Sequence, residues 1–120
     1  MAAIKEAAPS LAVEYKLPVI TVNPDGSLRG KGGLLEEEAV SFAKLLEQAG
    51  VDMIQVAQAN HTGNMGDTIP PMGAVPYNWT LPAAKKVKHA VSIPIATVGR
   101  VVTAEAGEQM LEQGGRERLL

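Results

Sequence analysis

Three short apolar runs, separated by stretches with helical periodicity, constrain this chain more than any other feature. Leu17–Val22 (Leu-Pro-Val-Ile-Thr-Val) is rich in β-branched residues, as suits a strand buried on both faces. Met53–Ala57 and Ile93–Val98 have the same character and follow at a spacing of roughly 35 to 40 residues. Strands that alternate with helices at this spacing imply parallel pairing through right-handed helical crossovers. The expected class is therefore α/β.

The intervening segments carry helix signals. Leu34–Gln48 places Leu35, Ala39, Phe42, Ala43, Leu46 and Ala49 at helical spacing, with Glu36, Glu37 and Glu38 near its positive end and Gly50 as its stop. Adjacent glutamates on a helix point in different directions, so these three read as helix-dipole residues rather than a metal cluster. Thr80 is placed to cap a helix through Ala90, with Pro82 tolerated in the first turn. Thr103 similarly opens a last helix to Gln113, closed by Gly114-Gly115. Met1–Ala8 forms a short helix stopped by Pro9. Asn23-Pro24-Asp25-Gly26 signals a turn that Gly30, Gly32 and Gly33 extend into a long mobile loop. Gln58–Tyr77 has no periodicity, which in a compact domain marks a lid or binding loop.

Composition narrows the class of partner. At 120 residues, 46% hydrophobic and 20% charged, the chain suits one small globular domain. Only 3% of its residues are aromatic, so the core must be aliphatic. The net charge of −2 and the lack of a basic run argue against nucleic acid and anionic membranes as partners. With no long apolar stretch and no leader-like start, the expectation is a cytoplasmic protein acting on a small molecule. There is no cysteine, which excludes disulfides, cysteine-ligated clusters and thiol catalysis within this chain.

Chemistry is most visible at Val98-Gly99-Arg100, where the third apolar run breaks on a glycine and continues with an arginine before a helix. A strand ending this way leaves backbone N–H groups and a cation at its carboxyl end, where phosphates bind in α/β folds. Gly99 and Arg100 are therefore the candidate cofactor-binding residues; the bland alternative is a turn glycine beside a solvated arginine. His61, in the loop after the second strand, is placed to donate to a cofactor or substrate oxygen, or is a plain loop histidine. Pro70, Pro71 and Met72 rim a substrate pocket or form a rigid turn. Gln58 faces the strand-end opening or serves a structural hydrogen bond, and Tyr77 and Trp79 pack the loop. No metal site is expected, since His61 has no Cys or second His close by. No Ser/His/Asp triad, paired carboxylate or P-loop can be assembled, so no catalytic residue is assigned.

Three blocks carry a family resemblance. Gly32-Gly33-Leu34 through Glu37-Glu38-Ala39-Val40 and Phe42-Ala43-Lys44-Leu45-Leu46-Glu47 to Ala49-Gly50-Val51-Asp52-Met53-Ile54-Gln55-Val56 closely resembles the Old Yellow Enzyme-like NADH:flavin oxidoreductases. Ile69-Pro70-Pro71-Met72 and Lys85-Lys86-Val87 through Val91-Ser92-Ile93-Pro94-Ile95 to Val98-Gly99-Arg100-Val101 follow in the family's order. The resemblance covers residues 17–114, leaves 1–16 poorly matched and 115–120 atypical, and includes the 2,4-dienoyl-CoA reductase and trimethylamine dehydrogenase branch.

The resemblance implies a fragment of an FMN-binding (β/α)8 TIM barrel spanning about strands five to seven with their helices, across residues 1–120. It further implies that FMN takes hydride from NAD(P)H and passes it to an activated alkene, with Gly99 and Arg100 at the strand-seven phosphate position. Two departures qualify this. Gly114-Gly115-Arg116-Glu117-Arg118-Leu119-Leu120 stands in place of the family's continuation into strand eight. Thr21 and Val22 stand where the family carries an arginine facing the flavin, so a cation that stabilises reduced flavin is expected to be missing. The isolated chain is accordingly expected to be inactive, with exposed strand edges that favour self-association. A non-catalytic remnant and a phosphate-binding barrel of other chemistry are the alternatives.

Overall fold

The computed structural model describes residues 1–59, 65 and 78–114. Three parallel strands form the main sheet: β1 (Glu14–Val19), β4 (Met53–Gln58) and β5 (Ile95–Thr97), in that spatial order. Between the first two lie β2 (Thr21–Val22), β3 (Leu28–Arg29) and helix α2 (Glu36–Gln48). Helix α3 (Leu81–Ala90) leads into β5, and α4 (Ala104–Gly114) follows it; α1 (Ala2–Ala7) precedes the sheet. The α/β class and the parallel pairing agree with the sequence reading.

The register explains the core. Tyr15, Ile54 and Ile95 align across the sheet, as do Leu17, Val56 and Thr97. Alternation puts these rows on one face, and Leu17, Val19, Ile54, Val56 and Ile95 are all fully buried there. Helices α2 and α3 cover that face together. Four of their seven buried residues are alanines (Ala39, Ala43, Ala83 and Ala84), which lets the helices approach the sheet closely, while Leu46, Leu81 and Val87 fill the remaining space. Tyr15 meets Phe42 edge to face at 5.7 Å, a favoured aromatic geometry. The opposite face carries Lys16, Gln55 and Ala96 in one row, none of them buried.

Side chains on α2 tie its two ends. At the start, the Glu38 carboxylate accepts the Leu35 N–H at 2.8 Å, satisfying one orphan donor. Glu36 pairs with Lys86 of α3, so the acidic first turn both complements the dipole and joins the helices. At the far end, Glu47 accepts the N–H groups of Ser92 and Ile93 at 2.8 and 3.2 Å, and the Ser92 hydroxyl. That carboxylate fixes the approach to β5.

The first strand departs from expectation. Leu17–Val22 does not run as one strand: β1 begins at Glu14 and stops at Val19. Leu34 returns to its outer edge, donating to the Pro18 carbonyl at 3.0 Å and accepting the Ile20 N–H at 2.8 Å. Pro18 has no N–H to offer on that edge, so the position suits it. Thr21 and Val22 then pair antiparallel with Arg29 and Leu28. The segment expected to be a long loop is thus a hairpin closed at Asn23–Gly26, where Gly26 donates to the Asn23 carbonyl and Asp25 accepts from Ser27.

Helix α1 is held electrostatically rather than by burial, since none of its residues is buried. Lys5 reaches the Asp52 carboxylate at 2.5 Å, and Asp52 also accepts the Val13 N–H at 2.8 Å. The Lys5 hydrogen bond first, and the Val13 amide second, hold Asp52 below its ordinary 3.8. A carboxylate whose folded pKa is depressed contributes its full stability above 3.8 and loses it as pH falls through the folded value. Acidification below 3.8 is therefore expected to release α1 before the sheet melts. Amide exchange at Lys5–Ala8 measures this, and an Asp52→Asn protein should show that exchange already raised at neutral pH and flat with acid.

Candidate functional site

The carboxyl ends of β1, β4 and β5 lie side by side, as parallel pairing requires, and the polar residues concentrate there. Gln58 ends β4 on the helix-covered face, because it shares the phase of Ile54 and Val56. It is buried, and all of its amide capacity is used. Its Nε2 donates to the carbonyls of Arg29 and Ala59 at 2.8 and 3.1 Å. Its Oε1 accepts from the Thr21 hydroxyl and from Trp79 Nε1, the latter at 3.2 Å. Two carbonyls can only accept and an indole N–H can only donate, so the network fixes the amide's orientation. Gln58 serves the structural alternative and does not open toward the strand-end face.

Gln58 thereby binds the β2–β3 hairpin to the segment before α3. The hairpin sits close: a Cβ at Gly30 would lie 2.2 Å from the Ala59 carbonyl oxygen, and one at Gly33 would lie 2.3 Å from Ala59 Cβ. The pairing also sets Arg29 directly opposite Thr21, with its Nε donating to Asn23 Oδ1 at 3.0 Å. The hairpin after β1 therefore carries a cation of its own, although neither Thr21 nor Val22 supplies it. Sequence reasoning missed this because the arginine arrives through a turn rather than along the strand.

The Gly99–Arg100 turn closes the site at the end of β5. Gly99 is buried with φ +146, and Arg100 is half-buried in the left-handed region at φ +53. Arginine is not among the residues enriched there, so the local structure must hold it. The N–H groups of Gly99, Val101 and Val102 donate to no acceptor among the described residues. Val98, Val101 and Val102 are exposed around them. A turn that contains an arginine and whose N–H groups meet no acceptor among the described residues is suited to an anion.

Thr80 also departs from expectation. It stands at the N-cap of α3 but makes no side-chain cap bond. Its hydroxyl donates to the Val98 carbonyl and lies 2.8 Å from the Thr97 hydroxyl. Thr103, by contrast, caps α4 as expected, accepting the Ala106 N–H at 3.1 Å. His61, Pro71 and Met72 lie outside the described residues, as do Pro70, Tyr77 and the 115–120 terminus. A separate shallow groove of about 460 Å³ runs along α2, lined by Leu34, Glu37, Glu38, Ser41, Phe42 and Leu45. The Gly99–Arg100 turn takes no part in it. Among the described residues no helix is long and apolar enough to cross a membrane.

The comparisons with known proteins lead to oxidoreductases. The chain is 59% identical over 111 residues to a bilirubin reductase of Mediterraneibacter gnavus, and 39% identical over 115 residues to a bilirubin reductase of Clostridium symbiosum. It is 31% identical over 84 residues to an NADH oxidase of Thermoanaerobacter brockii. These matches take in 92%, 92% and 70% of the chain but only 17%, 30% and 13% of the respective relatives. The chain thus corresponds to a minor part of each. No protein-family model matches it.

Proposed function

We propose that this chain supplies one side of the phosphate site in an FMN-dependent, NAD(P)H-fed oxidoreductase, and that residues 17–114 correspond to about strands five to seven of its (β/α)8 barrel. The carrying observation is the Gly99–Arg100 turn at the carboxyl end of a parallel strand, with an arginine and with N–H groups that meet no acceptor among the described residues. Phosphates in barrel enzymes bind at that end. The strand arrangement supports the same reading: successive parallel strands are neighbours, and both intervening helices cover one face. A doubly wound sheet would place helices on both faces.

The residues present fit a phosphate. Glycine suits the turn: Gly99 sits at φ +146, and a Cβ there would stand 3.3 Å from Thr80 Oγ1 and 3.4 Å from the Trp79 ring. Gly99, Val101 and Val102 would hold it through their N–H groups and Arg100 through its guanidinium. When bound, FMN supplies a relay for hydride from the nicotinamide to the substrate. The proposed substrate is an activated alkene; two relatives are named as reductases of bilirubin, a molecule with conjugated carbon–carbon double bonds. This chain's own part is to bind and orient the phosphate end. The open edge of β5 is a proposed surface for self-association or for the rest of such a barrel.

Titration with FMN, read by quenching of flavin fluorescence, tests the reading. Arg100→Gly removes the cation and relieves the left-handed strain together. FMN affinity is expected to fall about tenfold, the worth of one charge-assisted hydrogen bond, while thermal stability stays level or rises. Equal FMN affinity in the two proteins would refute the assignment of Arg100.

A further inference from the structure

We propose that Asn78-Trp79-Thr80 is a positioning strap that presets the Val98–Arg100 turn for phosphate; the inference rests on the phosphate reading above. The strap holds the turn in three places. The Asn78 N–H donates to the Gly99 carbonyl at 3.0 Å. The Trp79 indole lies against Gly99, where a Cβ would stand 3.4 Å from Cε3 and Cζ3. Thr80 donates its single hydroxyl proton to the Val98 carbonyl, which can only accept. The Thr97 hydroxyl must then be the donor in the 2.8 Å contact with Thr80. The carbonyls of Val98 and Gly99 are both thereby engaged by the strap, and the N–H groups of Gly99, Val101 and Val102 take no part in it.

Two features mark this as more than packing. Thr80 occupies a cap position, where its hydroxyl would ordinarily contribute about 1 kcal/mol to the helix. Here it forgoes the cap bond and holds β5 instead. Asn78 and Arg100, at φ +60 and +53, are the two non-glycine residues with positive φ among those described. They flank the same Asn78–Gly99 hydrogen bond. Asparagine adopts this conformation readily, but arginine does not, and such strain at Arg100 persists only where the surroundings over-determine it and collects at ligand sites. The far side of the strap is anchored to β4 by the Trp79–Gln58 bond, so the turn takes its position from the middle strand of the sheet.

The test is Thr80→Val in the full chain, which keeps the shape and removes the hydroxyl. Affinities for FMN and for riboflavin, which lacks the phosphate, are measured by flavin fluorescence alongside the melting temperature. FMN is expected to weaken about tenfold with riboflavin unchanged, and Thr80→Ser is expected to restore the wild-type ratio. A Thr80→Val protein that melts lower but keeps the wild-type FMN-to-riboflavin ratio, or loses both ligands equally, would show a merely structural threonine and overturn the strap. A wild-type protein that does not distinguish FMN from riboflavin would overturn the phosphate reading itself, and the strap with it. Should Thr80→Val fail to fold, Trp79→Phe, which keeps a ring against Gly99 and removes the Gln58 bond, is read by the same ratio.

Discussion

Gly30→Ala is expected to destabilise the protein by about 3 kcal/mol or more, with a fall in melting temperature of roughly 10 °C or more. Two costs combine. The residue sits at φ +88, where an L side chain is strained. Its Cβ would also fall 2.2 Å from the Ala59 carbonyl oxygen and 2.8 Å from Gln58 Nε2. A backbone carbonyl cannot swing aside as a flexible side chain can, so the hairpin must lift from the end of β4. Gly26→Ala separates the two effects. It shares the strain, at φ +85, but has nothing within 4 Å of the added methyl, so its cost should be about 1 kcal/mol. Thermal melts of the two proteins measure the difference. Equal losses would mean that the hairpin's close contact with β4 is not what holds it.

The second large effect is expected at Gln58→Leu. Leucine is near in volume, so little cavity opens. What is lost is the set of partners: the Trp79 N–H, the Thr21 hydroxyl and the carbonyls of Arg29 and Ala59. Thr21 is only 2% exposed, so water cannot readily replace the amide there. Each buried polar group left unpaired costs about 1–3 kcal/mol, and with partial relaxation a total near 3 kcal/mol is expected. Trp79 is the only tryptophan in the chain, so its fluorescence should shift to the red as the strap loosens, while urea unfolding gives the free energy. Coupling can be read from Trp79→Phe combined with Gln58→Leu, whose losses should fall well short of additive. Gln58→Glu keeps the acceptor for Thr21 and Trp79 but sets a carboxylate against two carbonyls. It should be least stable near neutrality and recover as acid returns a donor to the group.

Much of the scaffold is written in local pattern. The phases of Leu17 with Val19 and of Ile54 with Val56, the small inward faces of α2 and α3, and the Thr103 cap all follow from sequence periodicity. The break of the first strand at Ile20 does not, because it is set by Leu34 returning from beyond a hairpin. Strands β2 and β3 are two residues each, too short for any alternation to register. Thr80 reads as a cap because the pull of Val98 is a tertiary contact that propensity does not see. The phase of Gln58 with Ile54 and Val56 places it under the helices from local pattern alone. Of the candidate site, Gly99 and Arg100 were legible as a strand-end turn, whereas the strap that holds them was not. Trp79, two residues before α3, carries no local sign that it answers to a glutamine on the middle strand.

The proposed phosphate site rests on the amides of the Gly99–Arg100 turn. An amide-resolved NMR titration of the 15N-labelled chain tests it most directly, with FMN and riboflavin added to matched samples. FMN is expected to move the Gly99, Val101 and Val102 resonances, and riboflavin to leave them in place. Shifts of equal size with both ligands, or FMN shifts confined to the α2 groove around Ser41 and Leu45, would contradict it.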